Sequence, residues 1–360
     1  NDYFVKLAEI TQGQANEPPK LIRNIYGASL GGPIVKDRLF FFANYEGTRQ
    51  REEQSVVRTI PSASLREGIV NYQNVDGGIT TLSPQQIAGL DPLGLGPNSA
   101  VLSYFKSFPL PNDNSVGDGL NFSGYRFRGP ISTNKDYYIA RADYKIDANG
   151  NHNLFWRGAL QNVAASGAPF LPGEAPENTA VDYSKGFAAG YTAVISPALV
   201  NNFRWGFTRQ SVGNIGDSDQ PYIHFRGMDQ GVTRSSEFQM PMHNFVNDLS
   251  WTKGKHTFQF GTNLGFIRDR RLSTTNSFSD GIANSAWIDT GGFAQSGSNP
   301  LNPVNGSYPA VGDAFANSYD FPMIAVLGMV TEVDATYHFG KTGDLLAQGA
   351  PIKRDFAEDY

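Results

Sequence analysis

The sequence predicts an all-β chain, a partial antiparallel transmembrane β-barrel of about nine or ten strands with long extracellular loops containing short helices. Three observations carry this: paired runs of alternating apolar and polar residues, an excess of glycine and aromatic residues, and breaks that are short within pairs and long between them. Glycine supplies 39 of 360 residues, roughly 11% against an average near 7%. With 25 Phe and 16 Tyr dominating the large side chains, the composition favours strands and turns.

The first pair of runs spans Asn24 to Arg49 and is joined by the polar break Val35-Lys36-Asp37-Arg38. Period two sets Leu39, Phe41, Ala43 and Tyr45 on one face and Asn44, Glu46 and Thr48 on the other, with Phe40 and Phe42 interrupting the polar side. A second pair begins at Asp136. Tyr138, Ala140, Ala142, Tyr144 and Ile146 alternate with Ile139, Arg141, Asp143 and Lys145, and the turn Ala148-Asn149-Gly150 carries an Asn-Gly step suited to a tight hairpin. Its return run sets Leu154, Trp156, Gly158 and Leu160 against Asn153, Arg157 and Gln161. A third pair runs from Phe187 to Ile195, turns at Ser196-Pro197-Ala198, and returns through Phe203, Trp205 and Phe207. The fourth joins His243–Trp251 to His256–Phe266 through Thr252-Lys253-Gly254-Lys255, with Gln259 and Asn263 opposite Phe258, Phe260, Leu264 and Phe266. A weaker run, Met329 to Phe339, carries Val333, Ala335, Tyr337 and Phe339 opposite Glu332, Asp334 and His338.

Between the pairs, breaks of about twenty to more than eighty residues alternate with the tight turns, the asymmetry of barrels with short periplasmic turns and long outer loops. The competing reading is a soluble multi-strand sheet with long binding loops. Within the long segments, Pro61–Tyr72 predicts a helix capped by Ser62 or Ser64, Ser83-Pro84 opens another, and Asn98–Phe108 has helical spacing in Val101, Leu102 and Phe105. Leu272 to Asn317, rich in Ser, Asn and Gly, is expected to be the most mobile stretch.

Several function classes find no support. A net charge of −5 with scattered Lys and Arg gives no basic field for nucleic acid. Zero cysteines removes disulfides, thiolate metal sites and cysteine nucleophiles together. The longest apolar run, Phe321 to Val330, has ten residues, half of the roughly 20 that a membrane helix needs. Any crossing must be made by strands. The start, Asn1-Asp2-Tyr3-Phe4, has neither Met nor a signal segment, so a processed or truncated chain is expected. His152, His224, His243, His256 and His338 are too scattered for a metal site. Asp147-Ala148-Asn149-Gly150-Asn151 misplaces the glycine of a calcium loop and reads as a hairpin turn. Gly27-Ala28-Ser29-Leu30-Gly31-Gly32 lacks the Gly-Lys-Ser/Thr ending of a phosphate loop, and no serine sits in a Gly-x-Ser-x-Gly elbow. No enzymatic chemistry, cofactor or metal is expected.

The stretch NIYGASLGGPIVKDRLFFFANYEGTRQRE resembles the start of the barrel in TonB-dependent receptors, in the branch that often bears an N-terminal carboxypeptidase-regulatory-like domain. RTIPSASLREG, STNKDYYIARADYKID, ISPALVNNFRWGFTR and NDLSWTKGKHTFQFG follow in the expected order, and the likeness loosens beyond Leu272. Such receptors resemble barrels of about 22 strands with a plugged lumen. By this resemblance residues 1–360 form part of one barrel, 49–135 a long extracellular loop with short helices, and 268–327 a second long variable loop. The plug, the TonB-contacting segment and the closing strands are expected outside the chain. The implied function is TonB-energised uptake of a bulky or scarce solute across the bacterial outer membrane, with outer-membrane lipid and the TonB complex as partners. The alternative is a non-transporting surface binding or adhesion protein. Candidate lumen-facing solute contacts are Arg141, Asp143, Lys145, Arg157, Arg204, Asp248, Gln259 and Asn263, because Arg or Lys against lipid at the midplane costs about 2 to 4 kcal/mol. Otherwise each is a solvated or mutually paired side chain of the inner wall.

Overall fold

The computed structural model describes residues 3–11, 13, 19–285 and 298–359. After helix α1 (Tyr3–Thr11), strand β1 (Leu21–Val35) turns at Lys36-Asp37-Arg38 into β2 (Leu39–Pro61), pairing Ala28 with Tyr45 and Leu30 with Ala43. Asp37 takes φ 58°, a left-handed conformation that aspartate tolerates better than most residues. The other three hairpins also form: β6 (Phe122–Lys145) with β7 (His152–Ser166), β9 (Lys185–Ser196) with β10 (Leu199–Gly216), and β12 (Ser236–Lys253) with β13 (His256–Ser273). Gly150 and Gly254 sit at φ 71° and 63° in their turns, and the Asp147 carboxylate accepts the N–H of His152 at 2.8 Å. That contact makes Asp147-Ala148-Asn149-Gly150-Asn151 a self-capped turn.

The four tight turns lie side by side. Lys145 N–H donates to Arg38 O, Val194 N–H to Asn151 O and Thr252 N–H to Ala198 O, each at 2.8 Å. All long connections therefore leave from the opposite end. The wall is an antiparallel sheet of 11 strands whose path runs β1-β2-β6-β7-β8-β10-β12-β13-β16, where β8 is Asn178–Asp182 and β16 is Ile352–Asp359. β9 continues the line of β8 between β7 and β10, and β5 (Asp113–Gly117) pairs with β6. Among the described residues β1 and β16 are the free edges, and they do not bond to each other.

Strand lengths depart from the sequence reading. β2 has 23 residues and β6 has 24, about 75 Å each at ~3.3 Å per residue, roughly three times an apolar band of ~25 Å. The first connecting segment, read from 49 to 135, thus contains regular strand through Pro61 and again from Phe122, with Arg58 opposite Tyr125 and Gln54 opposite Gly129. Likewise β13 continues from 268 to Ser273. Beyond the alternating segment the two strands stay paired backbone to backbone, and Ile60 and Phe122 turn into the buried cluster. The run Met329–Phe339 is a correction of another kind: only Glu332–Asp334 (β15) is strand, and it joins β11 (Ile223–Phe225) and β14 (Asp280–Ala283) in a separate sheet. The wall's last strand is instead the charged β16, with Arg354 opposite Arg271.

The long connections fold together into a cap with the buried core of the molecule. Helix α2 (Pro84–Leu90) is closed by a capping box, the Gln86 side chain accepting the Ser83 N–H at 2.8 Å while the Ser83 hydroxyl accepts the Gln86 N–H. Helix α3 (Ser99–Ser107) is capped by the Asn98 carbonyl, 2.9 Å from the Ala100 N–H. Pro61–Tyr72 does not form the expected helix. It makes one 3-10 turn, Leu65–Glu67, which Gly68 ends at φ 76° before Val70 and Tyr72 enter β3 (Val70–Gln73). β3 pairs with β4 (Ile79–Leu82). The ten-residue apolar run lies mostly in α4 (Ala316–Leu327), whose Tyr319, Met323, Ile324 and Val326 are fully buried beside Leu65, Ile87 and Phe105. A run of that length, apolar on all sides, belongs in a protein core. Within the segment read as most mobile, residues 286–297 lie outside the described residues; Asp280–Ala283 is strand and Pro303–Gly306 a 3-10 turn.

Candidate functional site

Cross-strand register divides the wall residues between two faces. Tyr45, Tyr138 and Leu160 are mutual neighbours, as are Phe41, Ala142, Trp156, Ala189, Trp205, Phe245 and Leu264 along one row, so these share a face. The other face carries Glu46, Arg141, Arg157, Thr208 and Asn263. Rings tile the apolar side: Phe187 meets Trp205 edge-on at 4.8 Å, and Trp205 stacks on Phe245 at 5.8 Å. At its upper edge Tyr45 packs on Tyr138 at 4.9 Å and donates to Asp136 at 2.7 Å. An apolar belt ending in tyrosines whose hydroxyls reach polar partners, as Tyr45 reaches Asp136, is the surface that a bilayer requires.

All eight predicted residues lie on the polar face, in pairs and singly, with no common focus. The Arg141 guanidinium holds Asp143 through two hydrogen bonds of 2.6 and 2.7 Å. Arg204 on β10 ion-pairs with Asp248 on β12. The Asn263 carbonyl accepts from Asn244 at 2.8 Å. Lys145 and Gln259 sit nearer the turn end, opposite Asn153 and Ser250. Arg157 faces Arg141 across the β6–β7 pairing and lines a concavity of about 590 Å³ with Glu46, Tyr137, Gln161 and Thr208. Tyr137 and Thr208 fall outside the predicted set because that set takes only charged and amide side chains, although the same alternation marks them. Phe40 and Phe42 are on this face too, opposite Asp143 and Arg141; they are the rings that broke the alternation.

The cap covers the upper part of the same face. Arg58, one of the even-numbered residues of β2 that share the side of Glu46, reaches Glu177 and the carbonyl of Phe170 at 3.2 Å in the β7–β8 connection. A Cβ added to Gly129 would stand 2.8 Å from the Ala168 methyl, so that connection lies directly on β6. The backbone of Thr59 exchanges hydrogen bonds with Asp229 of the β10–β12 connection at 2.8 and 2.9 Å. Within the cap, an open cleft of about 810 Å³ is lined by Tyr104, Phe108, Phe170, Tyr222 and Phe225, with Glu174 and Gln230 among its polar groups. Burial pushes the Tyr104 phenol above its ordinary value. Burial also raises Glu177, and the opposing Arg58 charge only partly offsets it.

One acid, where the first long connection rejoins the sheet as β5 beside β6, is shifted in the opposite electrostatic sense. Burial works to raise Asp113, but hydrogen bonds from the Ser115 hydroxyl and N–H and from Arg126 outweigh it and hold the carboxyl below the usual range. Arg126 Nε lies 2.5 Å from that carboxylate.

A family model described as outer membrane beta barrel domain matches residues 1–319. No curated protein and no solved structure matches the chain.

Proposed function

Because this chain belongs to the outer membrane beta barrel domain family and so resides in the bacterial outer membrane, we propose that it forms wall and cap of a TonB-energised receptor. Its cargo would be a bulky or scarce solute. The observation that supports this most is the polar face, where Arg141, Asp143, Arg157, Arg204, Asp248 and Asn263 stand on the side of the sheet away from the rings, below a folded cap. With tight turns at the periplasmic side, the cap stands outside the cell, where it meets solute first. Energy would reach the lumen through the TonB complex acting on a plug of the kind such receptors carry. The cap's aromatic cleft favours a second reading, a surface binding protein without transport.

Growth competition separates the two. Cells carrying the full-length receptor are fed mixtures of oligosaccharides, peptides and metal chelates, and depletion of each is followed with and without TonB. TonB-dependent depletion of one class, weakened by the double change Arg141→Ala and Arg157→Ala, is the expected result. Binding to cells without TonB-dependent depletion of any class would favour the surface binding reading instead.

A further inference from the structure

We propose that the outer, lipid-facing side of the wall holds one anionic lipid of the extracellular leaflet, its phosphate on Lys185 and Arg209 and an acyl chain in a trench floored by Ala43, Ala140 and Gly158. β9 runs 12 residues from its turn to Lys185, a rise of about 28 Å for strands tilted ~40°, which puts Lys185 at the loop-side edge of a ~25 Å band. Arg209 is its direct partner across the strands. Two cations directly opposite one another repel, and neither makes an ion pair among the described residues. The arginine is further unsatisfied: its Nη2 reaches only the Tyr183 carbonyl at 3.4 Å, and its Nε is buried without a partner. Elsewhere on the same edge the sequence supplies an acid. Arg49 on β2 is held by both oxygens of Asp136, at 2.8 and 3.0 Å. Between β9 and β10 that counter-charge is missing, and a phosphate from the membrane supplies it, as guanidinium geometry favours.

Directly below the pair the wall is hollowed on its outer side. Ala43, Ala140 and Gly158 occupy one cross-strand row, and small side chains there leave a trench of about 710 Å³ whose apolar sides include Leu30, Trp156, Leu160 and Phe187, with Lys185 at its rim. An apolar slot ending at two unmatched cations complements a single amphiphile with an anionic head. This site lies outside the conduit and is independent of what is transported.

The test uses the full-length protein in mixed micelles of phosphatidylcholine and phosphatidylglycerol, with retained lipid read by native mass spectrometry. Phosphatidylglycerol retained several-fold above its mole fraction is expected, with inorganic phosphate failing to displace it. The double variant Lys185→Gln/Arg209→Gln and, separately, Ala140→Phe in the trench should each bring retention down to the mole fraction. Folding of each is checked by heat-modifiable gel mobility, and Arg66→Gln/Lys106→Gln in the cap controls for net charge. Retention at the mole fraction in the unaltered protein, equal enrichment in the altered proteins, or loss in only one of the two site variants would overturn the joint site.

Discussion

Phe203 in the wall is 40% exposed and Phe260 is 58% exposed, whereas Phe105 and Ile324 in the cap are wholly buried. The residues are of one chemical kind; what differs is the solvent. In the wall a one-layer sheet turns its rings to hydrocarbon, so large exposed apolar side chains are its satisfied state. Above the membrane water surrounds the chain, and the same side chains must be hidden behind one another. The cap is therefore held by packing, and the wall by its hydrogen-bonded ladder and the lipid outside it.

Truncation in the cap breaks this contrast most sharply. Phe105→Ala should cost about 3–5 kcal/mol and raise hydrogen exchange in Pro84–Leu90 and Ala316–Leu327 while leaving exchange in the lower halves of β6 and β10 unchanged. Next in size, Phe203→Arg should destabilise the wall by about 2–4 kcal/mol in urea titrations in lipid vesicles, whereas Asn202→Arg on the opposite face should cost only the hydrogen bond it accepts from Thr192, about 1 kcal/mol. Equal costs at the two neighbours would erase the distinction between faces. Removing the cap's Ser83 hydroxyl with Ser83→Ala should cost about 1 kcal/mol, seen as faster exchange confined to α2.

Acidification acts on β5, where the long connection from the cap rejoins the wall. The depressed Asp113 stabilises the β5–β6 junction fully above the unfolded carboxylate value of about 3.9, and that contribution is lost as pH falls through its lower folded value. Limited proteolysis of the cap should thus increase below about pH 4 in the unaltered protein, and Asp113→Asn should remove most of that pH dependence.

Legibility in the sequence follows the same divide. Four hairpins and the facing of all eight polar candidates were readable, because lipid on one side and water on the other favour period two over roughly the 9–11 residues that cross, with Phe40 and Phe42 as exceptions. Gln54–Pro61 and Phe122–Lys135 escaped it, since there one face of the strands meets the cap and not a uniform solvent, with Ile60 and Phe122 in the buried cluster, and register comes from the neighbouring strand. Val333, Tyr337 and Phe339 imitate the pattern, yet only Glu332–Asp334 is strand and it pairs outside the wall, while β16, with Lys353, Arg354 and Asp355 in succession, pairs without showing it. Helix α4 was marked by the run from Phe321 to Val330, but a pattern apolar on every side tells burial without telling against what. Asp136 beside Arg49 and Arg126 beside Asp113 are long-range pairs, 87 and 13 residues apart, which no local reading joins.

The most direct measurement is spin-label accessibility along β10 in vesicles of the full-length protein, with labels placed one at a time from 201 to 208. Oxygen accessibility peaking at 203, 205 and 207, and water-soluble nickel complex accessibility peaking at 202, 204 and 206, is the predicted alternation. Nickel accessibility at 203 and 205 equal to that at 204 would show that the ringed face meets water, and the two-solvent wall would fall with it.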